Sequence, residues 1–151
     1  MSFAIAQVLP GEAATVKAFM AGVIAARVTQ ERELLAELVA NVEGNVDWWL
    51  AHPHAALHLK ATHQGQLAGV VLVKQFWNLC SLFVDPALQG RGIGRALVET
   101  AALECRDRSP KQALWLNAAP AAVPFYRHLG FIDRPRTKPL PPDFVALQRP
   151  L

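Results

Sequence analysis

The chain has 151 residues, of which 52% are hydrophobic and 18% are charged, and its formal net charge at pH 7 is +3. This length and hydrophobic content predict one folded domain over residues 1–151 and exclude a disordered chain. No apolar run reaches the roughly 18 residues of a membrane span, and a signal-peptide pattern is lacking, so we expect a cytoplasmic protein without a membrane partner. Basic residues form no cluster with interleaved aromatics, so we expect no nucleic-acid partner.

Hydrophobic periodicity predicts an alternation of strands and helices along the chain. In chain order the predicted elements are a strand at 3–9, helices at 12–28 and 30–40, a helical turn at 46–51, strands at 55–62, 67–74 and 79–84, a helix at 93–106, a strand at 113–116, a helix at 121–129, and strands at 131–133 and 144–148. This order predicts an α/β layer architecture with a mixed sheet.

Local sequence features predict where the second helix begins and where it ends. Thr29 is a plausible N-cap for it, and residues 41–45, with Gly44 among them, predict a break. Of the adjacent Trp48 and Trp49 that follow, we expect at least one to pack in the core. The two cysteines, Cys80 and Cys105, form no disulfide framework and are expected to be reduced.

The most informative stretch is a strand, a glycine-rich loop and a helix in succession. The strand at 79–84 stops at Asp85-Pro86, and the loop carries Gly90, Gly92 and Gly94 before the helical pattern starts. Free N–H groups and the dipole of a helix N-terminus attract anions, and glycines let the backbone approach a phosphate. Arg91 and Arg95 add positive charge, so this stretch predicts a phosphate or pyrophosphate site.

The glycine spacing excludes two common nucleotide loops. A Rossmann fingerprint would require glycine at 95 or 97, and a Walker A loop would require Lys-Ser/Thr after Gly94. The spacing Gln89-x-x-Gly92-x-Gly94 instead resembles the acyl-CoA pyrophosphate loop of the GCN5-related N-acetyltransferases. The segment Phe125-Tyr126-Arg-His-Leu-Gly-Phe resembles the second cofactor segment of that family, at about the expected separation.

The resemblance implies an acyl-CoA N-acyltransferase (GNAT) fold: a mixed, mostly antiparallel sheet of about seven strands flanked by about four helices. It also implies acetyl-CoA as cosubstrate, bound by backbone groups of the central strand and by the glycine loop. Asn117 would hydrogen-bond the pantetheine, although the Asn or Ser frequent seven residues before the tyrosine is Ala119 here. The cofactor-binding residues implied are Leu82, Val84, Gln89, Gly90, Arg91, Gly92, Ile93, Gly94, Arg95 and Asn117.

Tyr126 is the implied catalytic residue. It is the single tyrosine in the chain, and it matches the family tyrosine near the CoA sulfur. A phenol with a pKa near 10 is a reasonable proton donor to a leaving thiolate.

The sequence leaves the general base open. Asn78 stands where the histone-type members carry a glutamate, and an amide cannot act as a base. A water relay to Glu43 or Asp47, a histidine, or an amine that arrives neutral are the three alternatives. His52, His54, His58 and His63 lie close in sequence but lack clear metal-ligand spacing, so no metal is expected.

The resulting hypothesis is an enzyme that transfers the acetyl group of acetyl-CoA to a primary amine by direct attack in a ternary complex. The alternative is an acyl-CoA sensor or regulatory domain without turnover. The acceptor remains open between a small molecule and a peptide amine. Trp48, Trp49, Glu43 and Asp47 are compatible with a cationic amine, and the resemblance also admits a homodimer.

Overall fold

The computed structural model describes residues 2–151. The elements confirm the predicted order of seven strands and four α-helices. Their bounds are β1 Ala4–Gln7, α1 Ala13–Arg27, α2 Arg32–Ala51, β2 Ala56–His63, β3 Gln66–Lys74, β4 Asn78–Val84, α3 Ile93–Cys105, β5 Ala113–Ala118, α4 Val123–His128, β6 Ile132–Asp133 and β7 Val145–Pro150.

All seven strands form one sheet in the order β1-β2-β3-β4-β5-β7-β6. Neighbouring strands are antiparallel except β4 and β5, which run parallel. The mixed, mostly antiparallel sheet is therefore confirmed. The parallel pair lies in the middle of the sheet, and α3 lies in the crossover connection from β4 to β5 that a parallel pair requires.

Helices cover both faces of the sheet. Helices α1 and α2 pack on one face over Val70 and Leu72 of β3. Helix α3 packs on the other face over Val71 and Val73, and Tyr126 of α4 joins that core. Alternate residues of one strand thus serve two cores, as the two-residue period of a strand dictates. Within residues 2–151, no helix is long and apolar enough to cross a membrane.

A glycine in β3 allows α3 to lie close to the sheet. A Cβ added at Gly69 would lie 2.9 Å from Cδ1 of Leu97 and 3.2 Å from the carbonyl oxygen of Phe83. Since Cβ atoms essentially never lie within 3.0 Å of another heavy atom, a side chain at this position would force the Leu97 side chain of α3 to shift. Gly69 also pairs with Val84, so this close packing of α3 on the sheet lies next to the predicted anion site.

The predicted break at 41–45 is wrong, because α2 runs without interruption from Arg32 to Ala51. Gly44 is exposed within the helix, and a helical glycine costs about 1 kcal/mol relative to alanine. Val42, Val46 and Trp49 are buried on either side of it. Burial of three such side chains contributes more than the glycine costs.

The predicted N-cap is also wrong. The carboxylate of Glu31, not the hydroxyl of Thr29, accepts hydrogen bonds from the backbone N–H groups of Glu33 and Leu34, at 3.1 and 2.7 Å. The Thr29 hydroxyl accepts instead from the N–H of Glu31. A carboxylate at this end also interacts favourably with the helix dipole.

Candidate active site

The parallel pair β4–β5 opens almost as soon as it forms. Asn78 pairs with Trp115, and the Trp115 N–H donates to the carbonyl of Trp77 at 2.7 Å. No other residue pair joins the two strands within the described chain. The strands therefore separate toward their carboxyl ends, and a cleft opens in the middle of the sheet.

A bulge in β4 lies beside this opening. Leu79 pairs with Val73 and Ser81 pairs with Leu72, so Cys80 is an extra residue with no partner position on β3. A bulge bends its strand and increases the local twist. The bulge therefore directs the second half of β4 away from β5.

The backbone of β4 presents hydrogen-bonding groups to the opening. The Asp85 N–H donates to the carbonyl of Ala68 at 2.8 Å, which makes this a hydrogen-bonded pair with the β3 side. Because such pairs alternate along an antiparallel ladder, the backbone groups of Leu82 and Val84 point away from β3. The Val84 carbonyl accepts a 3.3 Å hydrogen bond from the side chain of Gln89.

The glycine loop leads into the N-terminus of α3. Gly92 is the N-cap residue with φ of 85°, a left-handed conformation that favours glycine. The first helical hydrogen bond runs from the Ala96 N–H to the Gly92 carbonyl. The N–H groups of residues 93–95 precede this bond and have no partner within the helix. They are donors suited to an anion.

A cavity of about 430 Å³ connects the glycine loop with β4 and α4. The residues that line it are Leu82, Val84, Leu88, Gln89, Gly90, Gly92, Ile93, Gly94, Arg95, Ala122, Phe125 and Tyr126. The structure thus brings together nine of the residues predicted from sequence. Gly94 lies against α4, because an added Cβ would be 3.3 Å from Cζ of Phe125.

Tyr126 lies between two aromatic rings in this cavity. Its ring meets Phe125 and Phe131 edge to face, with centroids 5.1 and 5.3 Å away. Burial raises the pKa of its phenol above the usual value near 10, because the phenolate is poorly solvated there. The phenol therefore stays protonated at neutral pH.

The groups that line this cavity suit the chemistry of coenzyme A. Partnerless N–H groups and Arg95 suit a pyrophosphate, and exposed strand backbone beside apolar side chains suits a pantetheine arm. Arg91 precedes the helix in the same loop, is exposed, and does not line the cavity.

A larger cavity of about 740 Å³ lies on the face of the sheet that carries α2. It touches Leu79 and Cys80 of β4 and Leu116 and Asn117 of β5, so it reaches the same opening from the other side. Its further lining residues are Asn41, Asn45, Lys74, Trp77, Asn78, Lys111, Trp115, Arg134, Arg136, Thr137, Lys138, Leu140, Pro141, Phe144 and Ala146.

Asn117 belongs to this second cavity rather than to the first. Its side-chain oxygen accepts a 2.7 Å hydrogen bond from Arg134. It lines the larger cavity and not the one that holds Tyr126. The structure therefore does not bring the Asn117 side chain together with the other predicted cofactor residues.

The residues expected to flank the acceptor lie elsewhere. Asp47 forms a 2.6 Å ion pair with Lys17 on the surface, and neither Asp47 nor Glu43 lines either cavity. Trp49 is buried, as expected for one of the pair. Trp48 stacks on His52 at 4.4 Å and does not line the larger cavity, whose aromatic lining residues are Trp77, Trp115 and Phe144.

The sequence analysis missed the cations of the larger cavity. Lys74, Lys111 and Arg134 come from β3, the loop before β5 and the loop after β6, respectively. Each lies over an indole ring: Lys74 is 5.5 Å from Trp48, Lys111 is 4.0 Å from Trp115, and Arg134 is 4.7 Å from Trp115. Their wide separation in sequence left no pattern that would have revealed them.

The remaining candidate groups are not activated. Burial raises the pKa of the Cys80 thiol to about 11 and that of Cys105 to about 12, so neither is a thiolate at neutral pH. His58 is buried, and burial lowers its pKa to about 4. Among residues 2–151, His, Cys, Asp and Glu form no group of three or more that could hold a metal ion.

Comparison with known proteins supports the assignment of the fold and the family. The family model described as the acetyltransferase (GNAT) domain matches residues 50–138. A search of curated protein sequences found no match.

Among solved structures, a GCN5-related N-acetyltransferase of Rhodopseudomonas palustris is similar with 22% identity and a TM-score of 0.77, over 100% of this chain and 97% of that one. The PaiA N-acetyltransferase of Thermoplasma acidophilum, solved with coenzyme A, has 15% identity and a TM-score of 0.74 over 100% of both chains. A chimera of the spermidine N-acetyltransferase SpeG of Vibrio cholerae and hSSAT has 17% identity and a TM-score of 0.68, over 99% of this chain and 96% of that one.

At these identities the similarity to solved structures shows only the fold. The family assignment rests on the matched domain, which spans more than half of the chain. This chain belongs to the GNAT family of acetyl-CoA-dependent N-acetyltransferases.

Proposed function

We propose that the protein acetylates a primary amine by direct attack of that amine on acetyl-CoA in a ternary complex. The observation that carries the proposal is that two cavities reach β4 beside its opening from β5, one at Leu79 and Cys80 on the face of α2 and the other at Leu82 and Val84 on the opposite face. One is built for a phosphate-bearing thioester and the other is free for an acceptor. Two substrates bound in this way would be in contact without a covalent enzyme intermediate.

The bound cosubstrate supplies an activated acetyl thioester. The N–H groups of residues 90–95 and the side chains of Gln89 and Arg95 are proposed to hold its pyrophosphate. The backbone groups of Leu82 and Val84 are proposed to hold its pantetheine arm. Arg91 is proposed to contribute charge from the rim of the loop.

Tyr126 is proposed to protonate the departing thiolate. In the balanced reaction the amine nitrogen forms a bond to the acetyl carbon, the carbon–sulfur bond breaks, and the sulfur takes the phenolic proton. The proton lost by the nitrogen returns to solvent and, through it, to Tyr126. Because burial raises the pKa of this phenol, the donor is present in its acidic form throughout the physiological range.

The larger cavity favours a neutral amine without a carboxylate base. Lys74, Lys111 and Arg134 line it together with Arg136 and Lys138, while no aspartate or glutamate appears among its lining residues in the described chain. Nearby positive charge disfavours an ammonium ion and lowers the pKa of a bound amine. Of the three alternatives left open by the sequence, we propose the amine that binds neutral.

Acetyl-CoA binding by calorimetry, followed by detection of released CoA and acetylated product over a panel of primary amines, tests this function. Binding with turnover on an amine is the expected result. Binding without turnover on any amine would instead favour the acyl-CoA sensor. Absence of binding would exclude the proposed cofactor site.

The ternary complex has its own test. Initial rates measured against both substrates should give intersecting double-reciprocal lines, and Cys80→Ala should leave kcat largely unchanged, because its thiol is protonated. Parallel lines, or loss of turnover in a folded Cys80→Ala variant, would indicate an acetylated enzyme instead.

A further inference from the structure

The larger cavity is lined by five cations and, among the residues that the structure describes, by no carboxylate. Elsewhere, Lys17, Lys60, Arg127 and Arg149 are each ion-paired with a carboxylate. The cations that line the cavity have no such partner within residues 2–151. These are Lys74, Lys111, Arg134, Arg136 and Lys138.

Two of these cations are held in place by neutral groups. Arg134 donates from Nε to the carbonyl of Leu147 at 3.2 Å, and from Nη2 to the carbonyl of Leu116 at 3.3 Å and to Asn117. Lys74 donates to the side-chain oxygen of Asn45 at 3.0 Å. These bonds fix the position of each charge without neutralising it. Half-buried charges normally have a counter-charge, so a counter-charge supplied by a ligand is the simplest complement.

Lys111 is exposed and contacts two indole rings that line the cavity. Its Nζ is 4.4 Å from the ring centroid of Trp77 and 4.0 Å from that of Trp115. Stacking on two indoles restrains the ammonium near the cavity, at the level where Asn78 pairs with Trp115 at the base of the opening. The aromatic faces also provide apolar surface for the carbon skeleton of a ligand.

From this arrangement we infer that the acceptor is a small amine that also carries an anionic group, a carboxylate or a phosphate. Lys111, Lys74 and Arg134 bind the anionic group, and the amine lies toward the β4–β5 opening. This inference rests on the proposed function and names its acceptor class. An acceptor with an anionic group replaces the cationic amine that Glu43 and Asp47 suggested. The cations of the cavity would repel a polyamine without an anionic group.

The cavity size favours a small molecule over a protein. Its volume of about 740 Å³ lies within the roughly 300–1,000 Å³ of small-molecule sites. Residues 134–144 connect β6 to β7, and several of them line the cavity together with Asn41 and Asn45 of α2. Helix α2 and this connecting segment therefore both contribute to the wall of the cavity.

The test compares matched amines that differ only in the anionic group. Tyrosine with tyramine and histidine with histamine test the carboxylate, and phosphoethanolamine with ethanolamine tests the phosphate. Binding is measured by calorimetry on protein saturated with CoA, so that the cofactor cannot occupy the cations, and turnover is measured with acetyl-CoA. We expect the anionic member of at least one pair to bind and react with at least tenfold higher kcat/KM, and the responding pair identifies the group.

Three variants assign the effect to the cavity. Lys111→Gln should raise KM for the anionic acceptor roughly tenfold, the usual loss of one hydrogen bond to a charged group, and leave KM for acetyl-CoA unchanged. Lys111→Arg should restore most of the affinity. Arg32→Gln, which removes an exposed cation at the start of α2, is the matched control and should change neither constant.

The outcomes separate this inference from the proposed function. Turnover confined to tyramine, histamine or ethanolamine would support the transferase and overturn the anionic acceptor. Binding of an anionic member without turnover of any amine would support the anion site and contradict the transferase. No binding of any anionic member, or equal KM in wild type and Lys111→Gln, would overturn the inference.

Discussion

The side-chain oxygen of Asn117 accepts a 2.7 Å hydrogen bond from the guanidinium of Arg134. This bond joins the open end of β5 to the segment that follows β6. Both residues line the larger cavity. The contact therefore forms part of the wall of the larger cavity, where we propose that the acceptor binds, and it holds Arg134 in position.

Asn117→Ala should consequently affect the acceptor more than acetyl-CoA. Loss of one hydrogen bond of about 1 kcal/mol corresponds to roughly a fivefold increase in KM for the acceptor. KM for acetyl-CoA should stay near the wild-type value, because the side chain lies outside the other cavity. Steady-state kinetics with each substrate varied in turn provide the measurement. An increase confined to KM for acetyl-CoA would instead support the original expectation that Asn117 hydrogen-bonds the pantetheine.

Tyr126→Phe should reduce kcat by roughly 10² or more, because a positioned general acid contributes 10²–10⁴-fold. The affinity for acetyl-CoA, measured by calorimetry, should change little, since the ring and its contacts with Phe125 and Phe131 remain. Because the pKa of the phenol is raised, Tyr126 should keep its proton between pH 8 and about 10. Wild-type kcat should therefore not decline over this range through ionisation of Tyr126. A Phe variant with wild-type kcat would exclude Tyr126 as the acid.

A pair of glycine substitutions separates the anion loop from ordinary helix propensity. Gly92→Ala introduces a side chain at φ of 85° and should destabilise the fold by roughly 1–2 kcal/mol and weaken acetyl-CoA binding. Gly44→Ala, in the interior of α2 with no atom within 4 Å of the new Cβ, should instead stabilise by roughly 0.5–1 kcal/mol. Denaturant unfolding and calorimetry measure both. Equal effects would contradict a special role for Gly92.

His58 should make the fold sensitive to mild acid. Burial lowers its folded-state pKa from 6.5 to about 4, so between these values the unfolded chain binds more protons and the free energy of unfolding falls as pH falls. The full loss is about 3 kcal/mol. The pKa of the neighbouring Glu12 is lowered, mainly by its hydrogen bond to Lys60. Protonation of Glu12 therefore reduces the free energy of unfolding further only at the acid end of this range and below.

His58→Leu should flatten the pH dependence between about 4 and 6.5, because Leu does not titrate and the Nδ1 of His58 has no hydrogen-bond partner to lose. His54→Gln, at an exposed position, is the control and should retain the wild-type slope. Urea unfolding at pH 7, 6, 5 and 4.5 supplies the comparison. A wild-type slope in His58→Leu would assign the acid sensitivity to another group.

The order of elements and the cofactor loop were accessible from local patterns. About twenty consecutive residues predict the geometry of the strand, the loop with three alternating glycines and the helix. The predicted anion site depends on backbone groups that this geometry exposes. The placement of Tyr126 against the same loop followed from a family resemblance rather than from chemistry visible in the chain. The uninterrupted α2 was missed because long-range burial of Val46 and Trp49 outweighs a local glycine.

The sequence was thus sufficient to predict the fold class and the glycine loop, because each is encoded by neighbouring residues, whereas Tyr126 was predicted from the family resemblance. The cations of the larger cavity became apparent only in the folded chain. Lys74, Lys111 and Arg134 lie far apart in sequence and converge only when β3, β5 and β6 take their places in the sheet. Glu43 and Asp47, adjacent in sequence to the expected pocket, lie outside it. Side-chain convergence depends on strand order and on which face each residue occupies, and neither can be read from local spacing.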